Sequence, residues 1–300
     1  MIFGIAAYLL WGLFPAYFPL LLPAAPAEIL AHRIIWTGVF MAVVCTANGT
    51  MSKLWGLTAR TWLGLSMAGV FIAANWLIYV IAVNTGHVAE AAFGYFMNPL
   101  VAVMLGMVFL KEKLRPAQLV AVGIAVVAVV TMMVIDGNAP WIGLGLAFSF
   151  AFYGLIKKKV DVPAGVSLVA ETMVMAPLAL GYLVVLQSQG TNTFTTHGPV
   201  HTMLLVSTGV VTAIPLLLFG LGAKSIPLST IGMLQYMTPT IQMLWAVVVM
   251  SEQLTQVRWL GFAIIWISVA IYIGDLLNQQ RITRRRRQRG THPTATTPAR

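Results

Sequence analysis

The chain has 300 residues, 59% of them hydrophobic and 9% charged, with a mean hydropathy of +0.87. Soluble domains carry about 25% charged residues, so a water-soluble globular fold is excluded and an integral membrane protein is left. The formal net charge of +10 would suggest nucleic acid in a soluble chain. Here seven of the eighteen basic residues lie between Arg281 and Arg300, directly after an apolar run. That placement suits anionic lipid headgroups and leaves too little polar chain for a nucleic-acid-binding domain. The single cysteine, Cys45, excludes a disulfide within the chain.

A membrane-spanning helix needs about 20 mostly apolar residues. In chain order, runs of that kind are predicted at 2–22, 29–46, 63–83, 88–110, 116–135, 139–156, 166–186, 203–222, 227–250 and 257–277. The runs are too long, and alternate too little, for the strands of a barrel. The fold class predicted is an all-α polytopic membrane protein of ten transmembrane helices. The first run lacks a charged leader and a cleavage site and reads as a retained span. With the N-terminus in the cytoplasm, alternation of ten spans puts sixteen of the eighteen basic residues inside and leaves only Arg33 and Arg258 on the outer side. The tail also ends inside.

The chain repeats itself. At an offset of 140 residues Met97 meets Met237, Pro99 meets Pro239, Val108 meets Val248, Glu112 meets Glu252 and Leu114 meets Leu254. Over the same stretch Lys111, Lys113 and Arg115 become Ser251, Gln253 and Thr255. Five spans per half is an odd number, so the second half enters the membrane from the opposite side. The loss of positive charge fits a loop that has changed sides. The expected organisation is a first five-helix repeat over 1–137, an inverted second repeat over 138–277, and a basic, disordered cytoplasmic tail over 278–300. Inverted repeats build two gates around one midplane site and allow alternating access.

Polar residues within spans are costly and mark function or structure. His32 and Arg33 lie roughly 8 Å into the second span by helical rise. They read as an outer gate or an anion contact, or as an arginine snorkelling outward. Asn75 and Trp76 in the third span read as substrate contacts, or as a helix tie and a core ring. Tyr95, Asn98 and Pro99 in the fourth span recur as Gln235, Tyr236, Thr238 and Pro239 in the ninth. Each proline frees a carbonyl one turn back, so bent polar helices around a central site are expected, with a purely structural kink as the rival. Trp11 and Tyr153 correspond across the halves and read as cavity walls or as packing. Glu171 in the seventh span reads as a proton-carrying carboxylate or as a solvated one near the inner end. Glu112 and Glu252 read as helix caps or ion-pair partners. His197 and His201 stand four apart without a third ligand, so no metal site is expected, and no cofactor motif is present.

The stretches "HRIIW", "NWLIYVIAVNTGHVAEAAFGYFMNPLV", "FYGLIKKK" and "PLSTIGMLQYMTPT", in this order, resemble the EamA type of the drug/metabolite transporter superfamily. The resemblance covers residues 1 to about 277 and leaves the basic tail outside it. It implies a bacterial inner-membrane permease, not an enzyme. Such a protein is a secondary active transporter, an exporter of a small metabolite or drug-like solute, with proton coupling as one energy source. A passive facilitator or channel is the alternative. Substrate identity and oligomeric state are not legible.

Overall fold

A computed structural model describes residues 1–84, 88–136, 141–251 and 256–290. Glu252, Gln253 and Thr255 lie outside the described residues. The protein is all helical. The elements are α1 (Ile2–Gly12), α2 (Phe14–Tyr17), a 3-10 turn (Phe18–Leu21), α3 (Pro26–Ala47), α4 (Ser52–Trp55), α5 (Ala59–Asn84), α6 (Val88–Leu110) and α7 (Pro116–Asp136), followed by α8 (Trp141–Lys159), α9 (Ala164–Ser188), α10 (Gly198–Ser225), α11 (Leu228–Leu234), α12 (Met237–Val248) and α13 (Gln256–Gly290). Seven stretches are long and apolar enough to cross a membrane: Ile2–Leu21, Pro26–Ala47, Ala59–Tyr79, Pro116–Ile135, Ala164–Ser188, Gly198–Ser225 and Trp259–Gln279. The remaining runs of the sequence reading correspond to α6, to α8, which ends on three lysines, and to the α11–α12 pair, which is interrupted.

Two of the expected spans are broken, and prolines explain both breaks. Pro15 has no N–H to give the carbonyl of Trp11, and α1 ends at Gly12. In an apolar surround that carbonyl needs another donor, and the side-chain amide of Gln242 on α12 supplies one at 3.3 Å. Pro239 likewise cannot donate to Gln235, and the helix is interrupted at Gln235–Tyr236. The N–H of Thr238 takes the Gln235 carbonyl at 3.0 Å instead. Pro99 sits inside α6 without breaking it. At the far end α13 continues as helix to Gly290, where the tail from 278 was expected to be disordered. Arginine and glutamine are good helix formers, and they extend a helix that is already nucleated.

Among the described residues the core falls into four clusters, the largest running through α1, α3, α5, α6 and α8 to α11. α3 packs on α9 and α10, α5 on α8 and α9, α6 on α8 and α11, α1 on α10 and α12, and α7 on α13. Two of these seams are glycine contacts. A Cβ built on Gly69 of α5 would lie 3.0 Å from the Glu171 carbonyl oxygen on α9. One built on Gly209 of α10 would overlap the Trp36 carbonyl on α3, and the Gly209 carbonyl accepts from Thr37 Oγ1 at 3.2 Å. Small residues of this kind let membrane helices approach to backbone contact. Among the described residues the chain also turns left-handed at two non-glycine positions, Lys111 (φ 53°) after α6 and Ser251 (φ 55°) after α12.

Replacing Gly209 with valine forces α10 off α3 and is expected to cost about 1–3 kcal/mol. Gly181 faces open space in α9, so alanine there leaves stability unchanged or slightly raised. Thermal unfolding of the two purified variants in detergent checks both outcomes.

Candidate functional site

The α3, α5, α9 and α10 helices line a small, partly open cavity of about 20 Å³, whose polar lining is Arg33, Thr37, Trp76, Glu171 and Thr172. Arg33 is held from one side and faced by rings on the other. Its Nε donates to Thr212 Oγ1 on α10 at 3.0 Å. The guanidinium carbon lies 4.5 Å from the Trp76 ring centroid, 5.6 Å from that of Phe18 and 5.8 Å from that of Phe14. Two ion pairs occur among the described residues, Arg115–Asp275 and Lys157–Glu171, and neither involves Arg33.

Glu171 stands on the same cavity but is already satisfied. Its Oε1 accepts from Lys157 Nζ at 2.7 Å and from Ser167 Oγ at 2.6 Å, and its Oε2 accepts from Tyr153 OH at 3.2 Å. Lys157 also donates to Ser167 at 2.7 Å. The Lys157 and Glu171 side chains are 3% and 2% exposed. The sequence reading counted Lys157 with the basic residues at the inner ends of spans. The missed signal is its spacing: Tyr153 and Lys157 are four apart on α8, Ser167 and Glu171 four apart on α9, so each pair shares a helix face.

A second polar group lies at the start of α3 and α10. Glu28 is buried and accepts the backbone N–H of Thr193 at 2.8 Å. Thr193 Oγ1 meets His201 Nε2 at 2.9 Å. His32 stacks on Phe194, with centroids 4.7 Å apart, and its Nδ1 accepts from Trp36 Nε1 at 3.3 Å. His32 Nε2 is buried with no partner among the described residues. The segment between α9 and α10 is thereby folded back over the end of α3. Glu28, Thr193 and Phe194 were not singled out in the sequence; a glutamate in the first turn of a span was the available signal.

The other sequence candidates are placed as follows. Asn75 Nδ2 donates to the Leu146 carbonyl at 2.8 Å and to Ser149 Oγ at 3.0 Å, tying α5 to α8. Trp11 and Tyr153 share an aromatic cluster with Tyr8, Phe150 and Phe219, in which Tyr153 stacks on Phe219 at 5.7 Å. Tyr95 lies 6.0 Å from Tyr79, centroid to centroid. Pro99 is at the α6–α11 seam, where a Cβ on Gly232 would lie 3.0 Å from its carbonyl oxygen. Asn98 is buried there, its Oδ1 without a partner among the described residues. Tyr236 OH donates to the Phe96 carbonyl at 3.2 Å, and Thr238 Oγ1 to the Tyr8 carbonyl at 3.1 Å. Gln235 and Pro239 are buried beside them. Of the sequence candidates, Arg33, Trp76 and Glu171 therefore share the cavity. Glu112 caps α11 from the end of α6, accepting from Leu228 N at 2.6 Å, Ser229 N at 2.9 Å and Ser229 Oγ at 2.7 Å. Among the described residues no cluster of three His, Cys, Asp or Glu could hold a metal ion.

Comparison with known proteins gives one consistent picture. The EamA-like transporter family matches residues 1–134. The protein RarD of Streptomyces exfoliatus is 45% identical over 100% of this chain and 96% of its own length. The protein RarD of Escherichia coli (strain K12) is 40% identical over 94% of this chain and 96% of its own. A chloramphenicol-sensitive protein RarD of Pseudomonas aeruginosa is 28% identical over 97% of both. One solved crystal structure covers 90% of this chain and 96% of its own at a TM-score of 0.72 and 19% identity, a likeness of fold alone.

Removing one partner of a buried ion pair leaves a charge without compensation and costs about 3–5 kcal/mol, whereas replacing both by apolar residues is near neutral. Lys157→Met and Glu171→Met are each expected to lower the unfolding temperature well below that of the double variant, as a thermal-unfolding cycle on the purified proteins reads out.

Proposed function

The chain belongs to the EamA-like transporter family, and from that premise we propose a secondary transporter that exports a small metabolite or drug-like solute by alternating access. Family membership makes the chain a polytopic membrane transporter, not an enzyme. The proposed architecture is ten spans in two inverted repeats, 1–137 and 138–277. In it α6 and α8 are the fourth and sixth spans, and the α11–α12 pair is the ninth.

The observation that carries this reading is the exchange symmetry of the packing. Number the spans from one to ten and swap each with the span five away. The contact of α6 with α8 then becomes that of α12 with α1, α10 with α3 becomes α5 with α9, and α5 with α8 becomes α10 with α1. The pairs α3–α9, α6–α11 and α7–α13 map onto themselves. Two finer features agree. Lys111 and Ser251, both left-handed, are 140 residues apart. Tyr236 bonds to Phe96, which is 140 residues before it, as expected of a position on a two-fold axis.

Under this reading Arg33, Trp76 and Glu171 line the translocation path, with His32 at the outer end. Trp11, Asn75, Tyr95, Asn98, Pro99, Tyr153, Gln235, Tyr236, Thr238 and Pro239 shape the helices around it. Glu171 is proposed as the proton carrier. Both its oxygens are engaged in this conformation, so taking up a proton requires the Lys157 pair to part. The solute class is supported by the chloramphenicol-sensitive name of one relative. The termini are placed in the cytoplasm of a bacterial inner membrane, with the basic tail against anionic headgroups.

In proteoliposomes, uptake of at least one solute from a labelled panel of small carboxylates, phosphate monoesters and chloramphenicol is expected to saturate and to accelerate under an opposing pH gradient. Glu171→Gln removes the effect of the gradient. Unsaturable flux carried as an ionic current would leave the facilitator reading in place of this one. For topology, Lys113→Cys and Ser251→Cys are introduced into Cys45→Ala protein. A membrane-impermeant maleimide is expected to reach position 113 from the cytoplasmic side and position 251 from the other. Labelling of both from one side would rule out inversion.

A further inference from the structure

The cavity contains one charge that the protein does not match. Arg33 is drawn inward, its Nε bonded to Thr212 on α10 and its face on Trp76, so it is not a side chain reaching out to the membrane surface. A guanidinium has five N–H donors. Thr212 takes the one on Nε and so leaves the two terminal nitrogens, the fork that pairs with oxyanions. No hydrogen bond or ion pair engages that fork among the described residues. The nearest carboxylate on the same cavity is neutralised separately: Glu171 is held by Lys157, Ser167 and Tyr153. The cavity wall therefore carries one net positive charge, in a surround where an uncompensated charge is costly. Around the fork the surface is aromatic, with Trp76, Phe14 and Phe18 within 6 Å of the guanidinium carbon. The rest of the lining near Trp76 is apolar, including Ile72, Met175 and Leu216.

We propose that this cavity, which at about 20 Å³ in this conformation has room for little more than a water and widens to admit a solute, selects an amphipathic anion: an oxyanion group, carboxylate or phosphate monoester, pairs with the terminal nitrogens of Arg33, and a flat apolar body lies along Trp76. The proposal rests on the transport reading for its purpose but not for its test. Thr212 is the positioning residue, since its bond fixes the plane of the fork. Trp76 serves both the cation and the body of the solute. The same geometry disfavours amines, which would bring a second positive charge against Arg33.

The test is ligand-dependent thermal stabilisation of the purified protein in detergent, where stabilisation grows with ligand concentration over Kd. The probes are phenylacetate, phenyl phosphate, the neutral phenylacetamide, the cationic phenethylamine, inorganic phosphate and phosphatidylglycerol. Phenylacetate or phenyl phosphate is expected to stabilise, and to do so more than inorganic phosphate, which has no apolar body. The amide and the amine do not stabilise. Arg33→Gln weakens the anion by about 10- to 100-fold, the range expected for loss of a charged hydrogen-bonded pair. Arg33→Lys keeps the charge and loses the fork, and falls between. Thr212→Val weakens the anion without changing the order of the probes. If Arg33→Gln does not elute as folded protein, the order of the probes on wild-type protein and on Arg33→Lys decides. The proposal is overturned if the amine or amide stabilises as well as the anions. It is equally overturned if no soluble anion stabilises, if phosphatidylglycerol alone does so, or if folded Arg33→Gln binds the anions unchanged. Anion binding that depends on Arg33, in a protein that moves none of these anions across proteoliposomes, would sink the transport reading and leave the site standing.

Discussion

Inside a lipid bilayer a backbone carbonyl has no water to fall back on, and much of this structure is a response to that constraint. Where prolines interrupt the ladder, the freed groups find partners from other helices or shorter turns. Gln242 reaches the carbonyl of Trp11, and Thr238 turns back to Gln235. Where a helix begins inside the bundle, Glu112 supplies the acceptor that the first N–H groups of α11 require. Lys158 does the reverse at the end of α10, donating to the carbonyls of Ala223 and Ile226 at 3.1 and 2.5 Å. All but the Thr238 turn are contacts between distant parts of the chain. The irregular points of the helices are thus also the points that bind the bundle together.

Side-chain charge follows the same logic, with one exception. The buried Lys157–Glu171 pair is closed on itself and on two hydroxyls. Glu28 is closed by a backbone N–H. Arg33, of the two charged residues lining the cavity, is the one that keeps donors open. The proposed oxyanion would match this remaining charge, as the protein matches its other interior charges from within. The tryptophan against it makes the same surface hospitable to a ring.

The sequence made the helices legible because each needs only length and apolarity to be seen. The proposed inversion rests, in the sequence, on charge: three basic residues vanish at one offset, while a glutamate and a proline persist. Breaks were harder. Pro239 pointed to a bend in the ninth run, but Pro99 in the matching place leaves α6 whole, so the proline alone does not decide. The site was only partly legible. Arg33, Trp76 and Glu171 stood out as polar or aromatic residues in spans, and they meet at one cavity. Lys157 was hidden among its neighbours, because three successive lysines read as a membrane boundary and the one turned inward cannot be told apart by composition. Asn75 shows the converse: a mid-span amide whose nitrogen ties two helices together.

The glycine seams also bear on how such a bundle can move. At Gly69 against Glu171, and at Gly209 against Trp36, two backbones touch with no side chain between them. Sliding one helix along the other would drive a neighbouring Cβ into that contact within a single residue step. Under the proposed alternating access each seam would serve as a pivot rather than a rail, about which α5 tilts on α9 and α10 tilts on α3. Arg33 on α3 and Glu171 on α9 would then ride on opposite beams.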